Sequence, residues 1–296
     1  MGQHPILPFC FKDREWDLGN TPKIMGILNV TPDSFSDGGA FDHPGAAVAH
    51  ALEVVKAGAD IIDIGGESTR PGAEPVSADD EKARVLPVIE AIRREIPDVP
   101  LSIDTRKPEV ADAALTAGAD IVNDISGFAS PDMRETAAKH RAGCIVMHMR
   151  ATPENMQQHT GYADLIGEIC TYFRERITAC NEAGIDSAQI VLDPGIGFSK
   201  TAKQNLELIA DTRRFRELGR PVLMGPSRKS FIGKILDQPD AKQRVWGTAG
   251  AIAICAYEGA DIIRVHDVRE MREAALVAAA IRDREIRKLT AAVRLV

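Results

Sequence analysis

The chain has 296 residues, of which 44% are hydrophobic and 27% charged, and its formal net charge is −7. This composition is typical of a globular protein, and the absence of a lysine- or arginine-rich block argues against nucleic acid or an anionic membrane as a partner. Five scattered cysteines without a Cys-x-x-Cys pair, and no apolar run near the ~20 residues of a membrane span, favour a soluble protein in a reducing compartment, the cytoplasm.

The first 22 residues contain Pro5, Pro8 and Pro22 without a clear period. We therefore interpret 1–22 as an N-terminal arm that precedes one large domain over 23–296. Whether the arm forms a short hairpin over one end of that domain stays open at this point.

From residue 23 onward, strand and helix signals alternate eight times. The predicted strands are short apolar runs at 23–30, 61–64, 101–104, 121–123, 144–148, 190–193, 221–225 and 262–266. The predicted helices cover 45–57, 78–95, 108–117, 132–141, 164–183, 203–218, 245–257 and 268–289. Prolines at 44, 108 and 131 suit the first turns of three of these helices.

Three near-copies of one segment support a parallel sheet, at 58–63, 118–123 and 259–264. Each has a glycine after an alanine-rich run, then two β-branched residues, then a polar side chain, as at the end of a strand buried on both faces. Eight such β–α units predict an α/β fold, a single (β/α)8 TIM barrel. A doubly wound open sheet is the alternative, but no Gly-x-Gly-x-x-Gly follows the first strand.

Two connections after the first and second barrel strands, 31–40 and 67–77, are long and rich in Gly, Ser, Asp and Pro. Such loops on the carboxyl side of a barrel are usually lids or binding loops. The predicted site therefore lies at the carboxyl ends of the strands.

One group of residues near the strand ends consists of Asp104, Asn123, Asp193 and Lys229. Carboxylates and an amide beside a lysine suit a flat heterocycle that has amino and ring N–H donors on one edge and a carbonyl on another. The competing interpretation is a buried Asp193–Lys229 ion pair that only orients loops.

A second group consists of Asn29, Arg70, Arg228, Arg264 and His266. Cations grouped with a neutral oxygen ligand suggest a polyphosphate with Mg²⁺, which prefers oxygen ligands. Because Arg264 and His266 are two residues apart on one strand, they point to the same side. Ordinary surface salt bridges are the competing interpretation, particularly for Arg228.

Other polar residues carry weaker signals. A lone histidine at a strand end, such as His148 after Met147, is more often a satisfied rim residue than a catalyst. No His/Cys cluster has zinc-ligand spacing, and Ser227 and Ser230 lack the setting of a nucleophile elbow.

With these residues in view, the chain resembles the dihydropteroate synthase family, the pterin-binding barrels of folate synthesis. The resemblance runs from about residue 22 to 289, and its first two segments are long and specific. The matching segments are NVTPDSFSDGG (29–39), DIGGESTRPGA (63–73), SIDT (102–105), NDI (123–125), MHM (147–149), DPGIGF (193–198), SRKS (227–230) and RVHDV (264–268).

The resemblance implies a transferase that joins 4-aminobenzoate to (7,8-dihydropterin-6-yl)methyl diphosphate, giving 7,8-dihydropteroate and pyrophosphate. It assigns catalytic roles to Asp104, Lys229, Arg264 and His266. The remaining assignments are pterin binding by Asp104, Asn123, Met147, Asp193 and Lys229; aminobenzoate and loop contacts by Thr69, Arg70, Pro71 and Phe198; diphosphate binding by Asn29, Arg264 and His266; and Mg²⁺ at Asn29.

The mechanism that the resemblance implies is dissociative: pyrophosphate leaves first, and the amine then attacks a pterin-methyl cation from which ordered loops exclude water. The family also suggests a homodimer and a sulfonamide target. Two alternatives remain, a pterin-binding methyltransferase barrel that serves a corrinoid, and a non-catalytic paralogue that only binds pterin. The former would not need the loop at 31–39 or the Arg264–His266 pair, and losses at Arg70, Lys229 or His266 would favour the latter.

Overall fold

The computed structural model describes residues 5–30, 43–68 and 75–285. In these ranges the strands are β1 (Leu7–Phe11), β2 (Arg14–Leu18), β3 (Lys23–Asn29), β4 (Ile61–Gly65), β5 (Leu101–Asp104), β6 (Ile121–Asp124), β7 (Gly143–Met147), β8 (Ile190–Asp193), β9 (Leu223–Met224) and β10 (Ile262–Val265). The α-helices are α1 (His43–Lys56), α2 (Ala78–Glu95), α3 (Pro108–Ala117), α4 (Pro131–His140), α5 (Leu165–Glu182), α6 (Ala202–Ala210), α7 (Thr212–Arg216), α8 (Ser230–Leu236), α9 (Val245–Tyr257) and α10 (Val268–Asp283).

Eight parallel strands form one sheet in the order β8-β7-β6-β5-β4-β3-β10-β9. A parallel bridge between Leu192 and Val222 joins β8 to the start of β9 and closes the sheet. The predicted (β/α)8 barrel is therefore confirmed, and the open doubly wound alternative is wrong. Closure brings the carboxyl ends of all eight strands to one mouth, which is what assembles a site from residues far apart in the chain.

The N-terminal arm folds as an antiparallel hairpin of β1 and β2. Phe9, Phe11 and Leu18 are buried in one cluster with the first inward-facing residues of the barrel strands, such as Met25 and Ile61. Each fully buried large apolar side chain contributes about 1.5–3 kcal/mol, so the hairpin covers the amino end of the barrel stably. The domain boundary at residue 22 stays a prediction.

The three repeated segments place aspartates at the amino end of the barrel, directly before a strand. Each carboxylate accepts the backbone N–H of a residue at the start of a neighbouring strand: Asp60 from Ile24 (2.9 Å), Asp120 from Leu101 (3.0 Å) and Asp261 from Val222 (3.0 Å). Each also faces an arginine, namely Arg272 (3.7 Å), Arg93 (2.6 Å) and Arg216 (2.9 Å). The aspartate of the repeat is therefore a structural residue that joins neighbouring strands.

The region between β8 and α9 departs most from the predicted elements. The helix predicted over 203–218 is divided into α6 and α7, because the Thr212 hydroxyl donates to the carbonyls of Leu208 and Ile209 where the helix ends. Strand β9 is shorter than 221–225, since Pro221 has no N–H and the N–H of Val222 is bound by Asp261. Helix α8 was not predicted.

The last helix is also shorter than predicted. Helix α10 ends at Asp283, and Arg284 takes a left-handed conformation with φ of 55°. The predicted part of this helix beyond residue 285 lies outside the described residues. Among the described helices none is long and apolar enough to cross a membrane.

Candidate active site

Adjacent strands place polar side chains side by side at the carboxyl end of the barrel interior. Asp63, Asp104 and Asn123 stand at or near the ends of β4, β5 and β6. The Asn123 amide donates to Asp63 Oδ2 over 3.1 Å, and Asp104 is the register partner of Asn123. Together with Asp193 at the end of β8, these residues form what we call the polar floor.

Arg264 of β10 bridges two carboxylates of the polar floor. Its Nε donates to Asp63 Oδ2 over 2.6 Å, and its Nη2 donates to Asp104 Oδ2 over 2.7 Å. Burial opposes the charged form, but Asp63 and Asp104 outweigh it and raise the pKa of Arg264. The guanidinium predicted to bind a diphosphate thus lies against the polar floor, and its role toward an anion stays a prediction.

Three buried oxygens in this part of the barrel have no hydrogen-bond partner among the described residues: Asp63 Oδ1, Asp104 Oδ1 and Ser102 Oγ. A buried acceptor left unpaired costs about 1–3 kcal/mol, so folded proteins seldom keep several together without a ligand or water to satisfy them. The two carboxylate oxygens therefore suit a ligand that brings N–H donors into the barrel mouth.

The protonation of Asp104 is balanced near neutrality. Burial raises the pKa of Asp104 to about 7, because it outweighs the attraction of Arg264 and is reinforced by the negative charge of Asp63. A carboxyl group with such a pKa can accept a proton from a ligand or release one near pH 7.

Asp193 lies across the mouth from Asp104 and is paired in register with Met147 of β7. Its Oδ1 accepts the Gly195 N–H over 2.7 Å. Burial raises the pKa of Asp193, while the nearby charges of Lys229 and Arg264 lower it. Asp193, Lys229 and Arg264 therefore share one cavity mouth, as the sequence predicted.

A turn at 195–200 presents Phe198 to this mouth. Gly195 and Gly197 have φ of 73° and 86°, a left-handed conformation that glycine tolerates best. Lys200, which is 3% exposed, donates to the carbonyls of Phe198 (2.9 Å) and His148 (3.1 Å). This buried amine thus holds the turn against the end of β7.

Lys229 contacts the ring carried by that turn. Its Nζ lies 4.2 Å from the centroid of Phe198, a distance at which a cation is attracted to the face of an aromatic ring. The lysine comes from the loop before α8, so the contact joins two separate loops of the mouth.

His148 is neutral and serves the structure. Its Nδ1 lies 3.0 Å from Lys200 Nζ, and its ring packs edge-on against Tyr172. Burial, followed by the charges of Lys200 and Arg150, lowers the pKa of His148 to about 2. This agrees with the interpretation of His148 as a satisfied residue rather than a catalyst.

The loop before α8 is tied to the end of β10 by two neighbouring pairs. Ser227 Oγ lies 2.9 Å from His266 Nδ1, and Arg228 donates to Asp267 over 2.9 and 2.5 Å. Arg228 is thus held in a salt bridge, the competing interpretation given for it above. Burial and the charges of Arg228 and Arg264 lower the pKa of His266 to about 3, so the ring is neutral at pH 7.

Asn29 ends β3 beside the polar floor. A Cβ placed at Gly65 would lie 3.8 Å from both Asn29 Oδ1 and Asp104 Oδ2, so the glycine leaves space next to both oxygens. Across the described ranges no group of three or more His, Cys, Asp or Glu is arranged to hold a metal. A single amide oxygen with space beside it fits Mg²⁺, which usually keeps several waters and binds substrate phosphates.

The loop after β4 is anchored at both ends by Glu67. Its Oε1 accepts the Val76 N–H over 2.9 Å, and its Oε2 accepts from Lys107 Nζ over 2.9 Å. Lys107 also donates to the fully buried Glu81. The predicted Thr69, Arg70 and Pro71 lie between these anchors but outside the described residues, as does the predicted loop at 31–39.

Sequence reasoning missed Asp63, Lys200 and Ser227 as parts of this site. Asp63 ends the first of the three repeated segments, yet nothing in one sequence indicates that it pairs with Arg264. Lys200 lies two residues after the DPGIGF segment, but a single sequence does not reveal that this lysine is buried.

Comparison with protein families gives one match over most of the chain. The model described as "Pterin binding enzyme" matches residues 25–266, which include every residue of the polar floor.

Curated relatives are similar over nearly their whole length. A dihydropteroate synthase of Synechocystis sp. is 52% identical over 267 residues, covering 90% of this chain and 92% of the relative. The dihydropteroate synthase of Escherichia coli strain K12 is 46% identical over 253 residues, covering 86% and 89%.

Solved structures agree with the fold. A Xanthomonas albilineans dihydropteroate synthase with 4-aminobenzoic acid superimposes with a TM-score of 0.87 at 42% identity, covering 94% of this chain and 98% of that one. The Yersinia pestis dihydropteroate synthase with a sulfonamide drug gives 0.87 at 43% identity, covering 93% and 99%. The Xanthomonas albilineans synthase in complex with 7,8-dihydropteroate gives 0.83 at 40% identity, covering 93% and 98%.

Proposed function

The chain belongs to the pterin-binding enzyme family, and from this premise we propose that it catalyses the dihydropteroate synthase reaction. It is a transferase of folate biosynthesis that joins the methylene carbon of (7,8-dihydropterin-6-yl)methyl diphosphate to the amine of 4-aminobenzoate. The products are 7,8-dihydropteroate and pyrophosphate.

The observation that carries this function is the polar floor with its unpaired acceptors. Asp63 Oδ1 and Asp104 Oδ1 have no partner in the described part of the chain, and they lie beside the Asn123 amide and across the mouth from Asp193. A pterin ring offers amino and ring N–H donors that carboxylates accept in pairs. Filling these positions satisfies the buried oxygens and holds the ring in one orientation.

The same carboxylates stabilise the reacting carbon. When the bond between the methylene carbon and the diphosphate oxygen breaks, its electron pair leaves with pyrophosphate and positive charge spreads into the pterin. When the carboxyl groups of Asp104 and Asp193 are ionised, they stabilise that charge more than water does, because they are fixed in a buried setting. The amine lone pair then forms the new bond, and the amine loses a proton to solvent.

The leaving group is taken up by the neighbouring cations and N–H donors. The charges of Lys229 and Arg264 both act on His266, which stays neutral, so the three side chains lie close together. Pyrophosphate gains negative charge as it departs, so cations placed beside it lower the barrier. On this proposal no residue acts as a nucleophile, and no covalent intermediate forms.

Phe198 is proposed to contact the aminobenzoate ring. The turn that carries it is fixed by Lys200, and Lys229 lies over its ring. Stacking of a second aromatic ring there would present the amine to the methylene carbon. Sulfonamide drugs, one of which is bound to the Yersinia pestis enzyme, would compete at the same place.

We also propose that Mg²⁺ accompanies the diphosphate. Asn29 would hold the ion through its amide oxygen, with water and substrate phosphate oxygens as the other ligands. When bound, the ion neutralises charge on the leaving group. The space that Gly65 leaves beside Asn29 Oδ1 supports this assignment.

A homodimer through α9 and α10 is part of the proposal. Helix α9 contains no charged residue, and it packs against α10. Large apolar side chains remain exposed on this pair of helices: Trp246 (83%), Ile254 (49%), Tyr257 (42%), Val277 (62%) and Ile281 (62%). An apolar surface of this kind is typical of an oligomer interface.

Light scattering on wild type and two variants tests the dimer. Val277→Lys should give monomers, whereas Leu206→Lys, which replaces an exposed leucine on α6, should leave the dimer intact. A wild-type monomer at micromolar concentration would refute this part of the proposal.

The proposed location is the cytoplasm. All five cysteines are free thiols, and four of them are buried, which suits a reducing compartment.

The function is tested by supplying pterin diphosphate, Mg²⁺ and 4-aminobenzoate and measuring both products. Pyrophosphate and 7,8-dihydropteroate should form in equal amounts, and dihydropteroate formation should require the amine. A purified, folded protein that binds the pterin but forms no dihydropteroate would refute the proposal.

A further inference from the structure

We propose that Ser227 is a positioning residue that fixes the ring tautomer of His266, so that Nε2–H is presented to the departing diphosphate; this rests on the proposed function. The Ser227 hydroxyl makes two contacts with one residue. Its Oγ lies 2.9 Å from His266 Nδ1 and accepts the His266 backbone N–H over 3.2 Å.

The positions of the protons follow from this pair of contacts. Ser227 is buried, and its hydroxyl hydrogen needs an acceptor; the backbone N–H of His266 is a donor, so of its two contacts only Nδ1 can accept that hydrogen. No third hydrogen bond of this hydroxyl is found within the described ranges. Nδ1 is therefore the acceptor of the serine proton, and in a neutral ring the single ring proton must lie on Nε2.

The surroundings of His266 keep its ring neutral and give the Nε2–H a use. The ring is largely buried, and Arg228, Arg264 and Lys229 are the cations that oppose its protonation, with Asp267 acting in the opposite direction. A neutral ring with an unprotonated Nε2 would present an acceptor and repel an anion. The tautomer with Nε2–H instead adds a donor among these cations, which suits a phosphate oxygen.

The contacts of the neighbouring residue hold Ser227 within hydrogen-bond distance of His266. The next residue, Arg228, forms a two-bonded salt bridge with Asp267, and its N–H donates to Thr248 Oγ1 over 3.1 Å. Ser227 thus contacts His266, and the next residue, Arg228, contacts Asp267. The loop before α8 cannot shift relative to β10 without breaking both pairs.

The first test is spectroscopic and uses no substrate. The imidazole nitrogens of the ¹⁵N-histidine protein are observed by NMR at pH 7.5, and His266→Gln assigns the signals among the seven histidines. We expect wild-type Nε2 to be protonated and Nδ1 to be a hydrogen-bonded acceptor. In Ser227→Ala, the Nδ1 signal should move to that of an unbonded or tautomer-averaged nitrogen. A wild-type Nδ1 that carries the proton would overturn the proposal.

The second test measures pyrophosphate binding by calorimetry. Ser227→Ala should weaken pyrophosphate about three- to tenfold, the usual effect of one hydrogen bond, and raise the KM for pterin diphosphate while 7,8-dihydropteroate still binds normally. Ser227→Thr, which keeps the hydroxyl, should restore both values. Unchanged pyrophosphate affinity in Ser227→Ala would overturn the proposal.

Ser199 provides a matched control. Its buried hydroxyl also makes two hydrogen bonds to a single residue, accepting from the Arg150 N–H (3.0 Å) and donating to the Arg150 carbonyl (2.7 Å). Ser199→Ala should therefore leave the His266 spectrum unchanged. If pyrophosphate binding depends on Ser227 but no dihydropteroate forms, the proposed function fails and the role of Ser227 stands.

Discussion

Aspartates occupy both ends of the barrel, and their partners differ. At the amino end, both oxygens of Asp60, Asp120 and Asp261 face N–H groups or cations of the protein. At the carboxyl end, Asp63 and Asp104 each keep one oxygen with no partner in the described part of the chain.

The difference shows how one residue type serves two purposes. A carboxylate whose hydrogen bonds are all made within the protein stabilises the fold. Removing it destabilises the protein because the buried cation and N–H groups that it paired with are left without a partner. A buried carboxylate that keeps an unpaired oxygen is costly until a ligand arrives. Residues at the amino end should therefore affect stability, and those at the carboxyl end should affect binding and turnover.

The largest effect is expected from Lys229→Ala at the carboxyl end. Removing a cation beside the leaving group should lower kcat by about 10²–10³ with no change in the unfolding temperature. Steady-state kinetics and thermal unfolding measure the two quantities. Lys234→Ala on the exposed face of α8 is the control and should match wild type. Normal turnover in Lys229→Ala would remove this lysine from the site.

At the amino end, Asp261→Ala should act on stability alone. It leaves the buried Arg216 without its partner and frees the Val222 N–H, so the free energy of unfolding should fall by about 3–5 kcal/mol. Denaturant titration measures this loss, and calorimetry below the transition should give wild-type pterin affinity. An Asp261→Ala protein that keeps wild-type stability but no longer binds pterin would contradict the assignment of the amino end to stability and the carboxyl end to binding.

Asp193→Asn should show the opposite behaviour. The amide cannot accept two N–H bonds, so pterin affinity should fall about 10- to 100-fold, the equivalent of a lost hydrogen bond at a buried charge. Because burial raises the pKa of Asp193, the carboxylate is disfavoured in the folded state, and the neutral amide should not lower stability. Calorimetric titration with wild-type affinity would contradict this prediction.

The smallest effect is a pH dependence from Asp104. Its pKa of about 7 is raised from the ordinary value, so the carboxylate that accepts pterin N–H groups is present above pH 7 and lost below it. Affinity should fall about tenfold between pH 8 and pH 6, and Asp104→Asn should reduce that slope. A wild-type affinity that rises toward pH 6 would contradict the assignment.

The sequence predicted the barrel well because its signals are local. Strands β5 and β8 coincide with the predicted 101–104 and 190–193, since both are apolar runs that end in an aspartate. The meeting of Asp104, Asn123, Asp193 and Arg264 at one mouth followed from the geometry of parallel strands.

Other features depend on contacts between distant residues, which one sequence does not reveal. The Arg264 guanidinium lies against the polar floor because Asp63, 201 positions away, accepts its Nε–H. Likewise the repeated aspartates join neighbouring strands through residues 36, 19 and 39 positions away. The roles assigned to Thr69, Arg70 and Pro71 stay predictions.

The most direct measurement is a calorimetric titration of 7,8-dihydropteroate into wild type, Asp193→Asn and Asp261→Asn under conditions where all three are folded. Since Asp193 lies at the open mouth and Asp261 at the hairpin-covered end, we predict one-site binding that is weakened only in Asp193→Asn. Equal affinity in all three proteins, or weakening only in Asp261→Asn, would contradict the assignment of the carboxyl end as the pterin site.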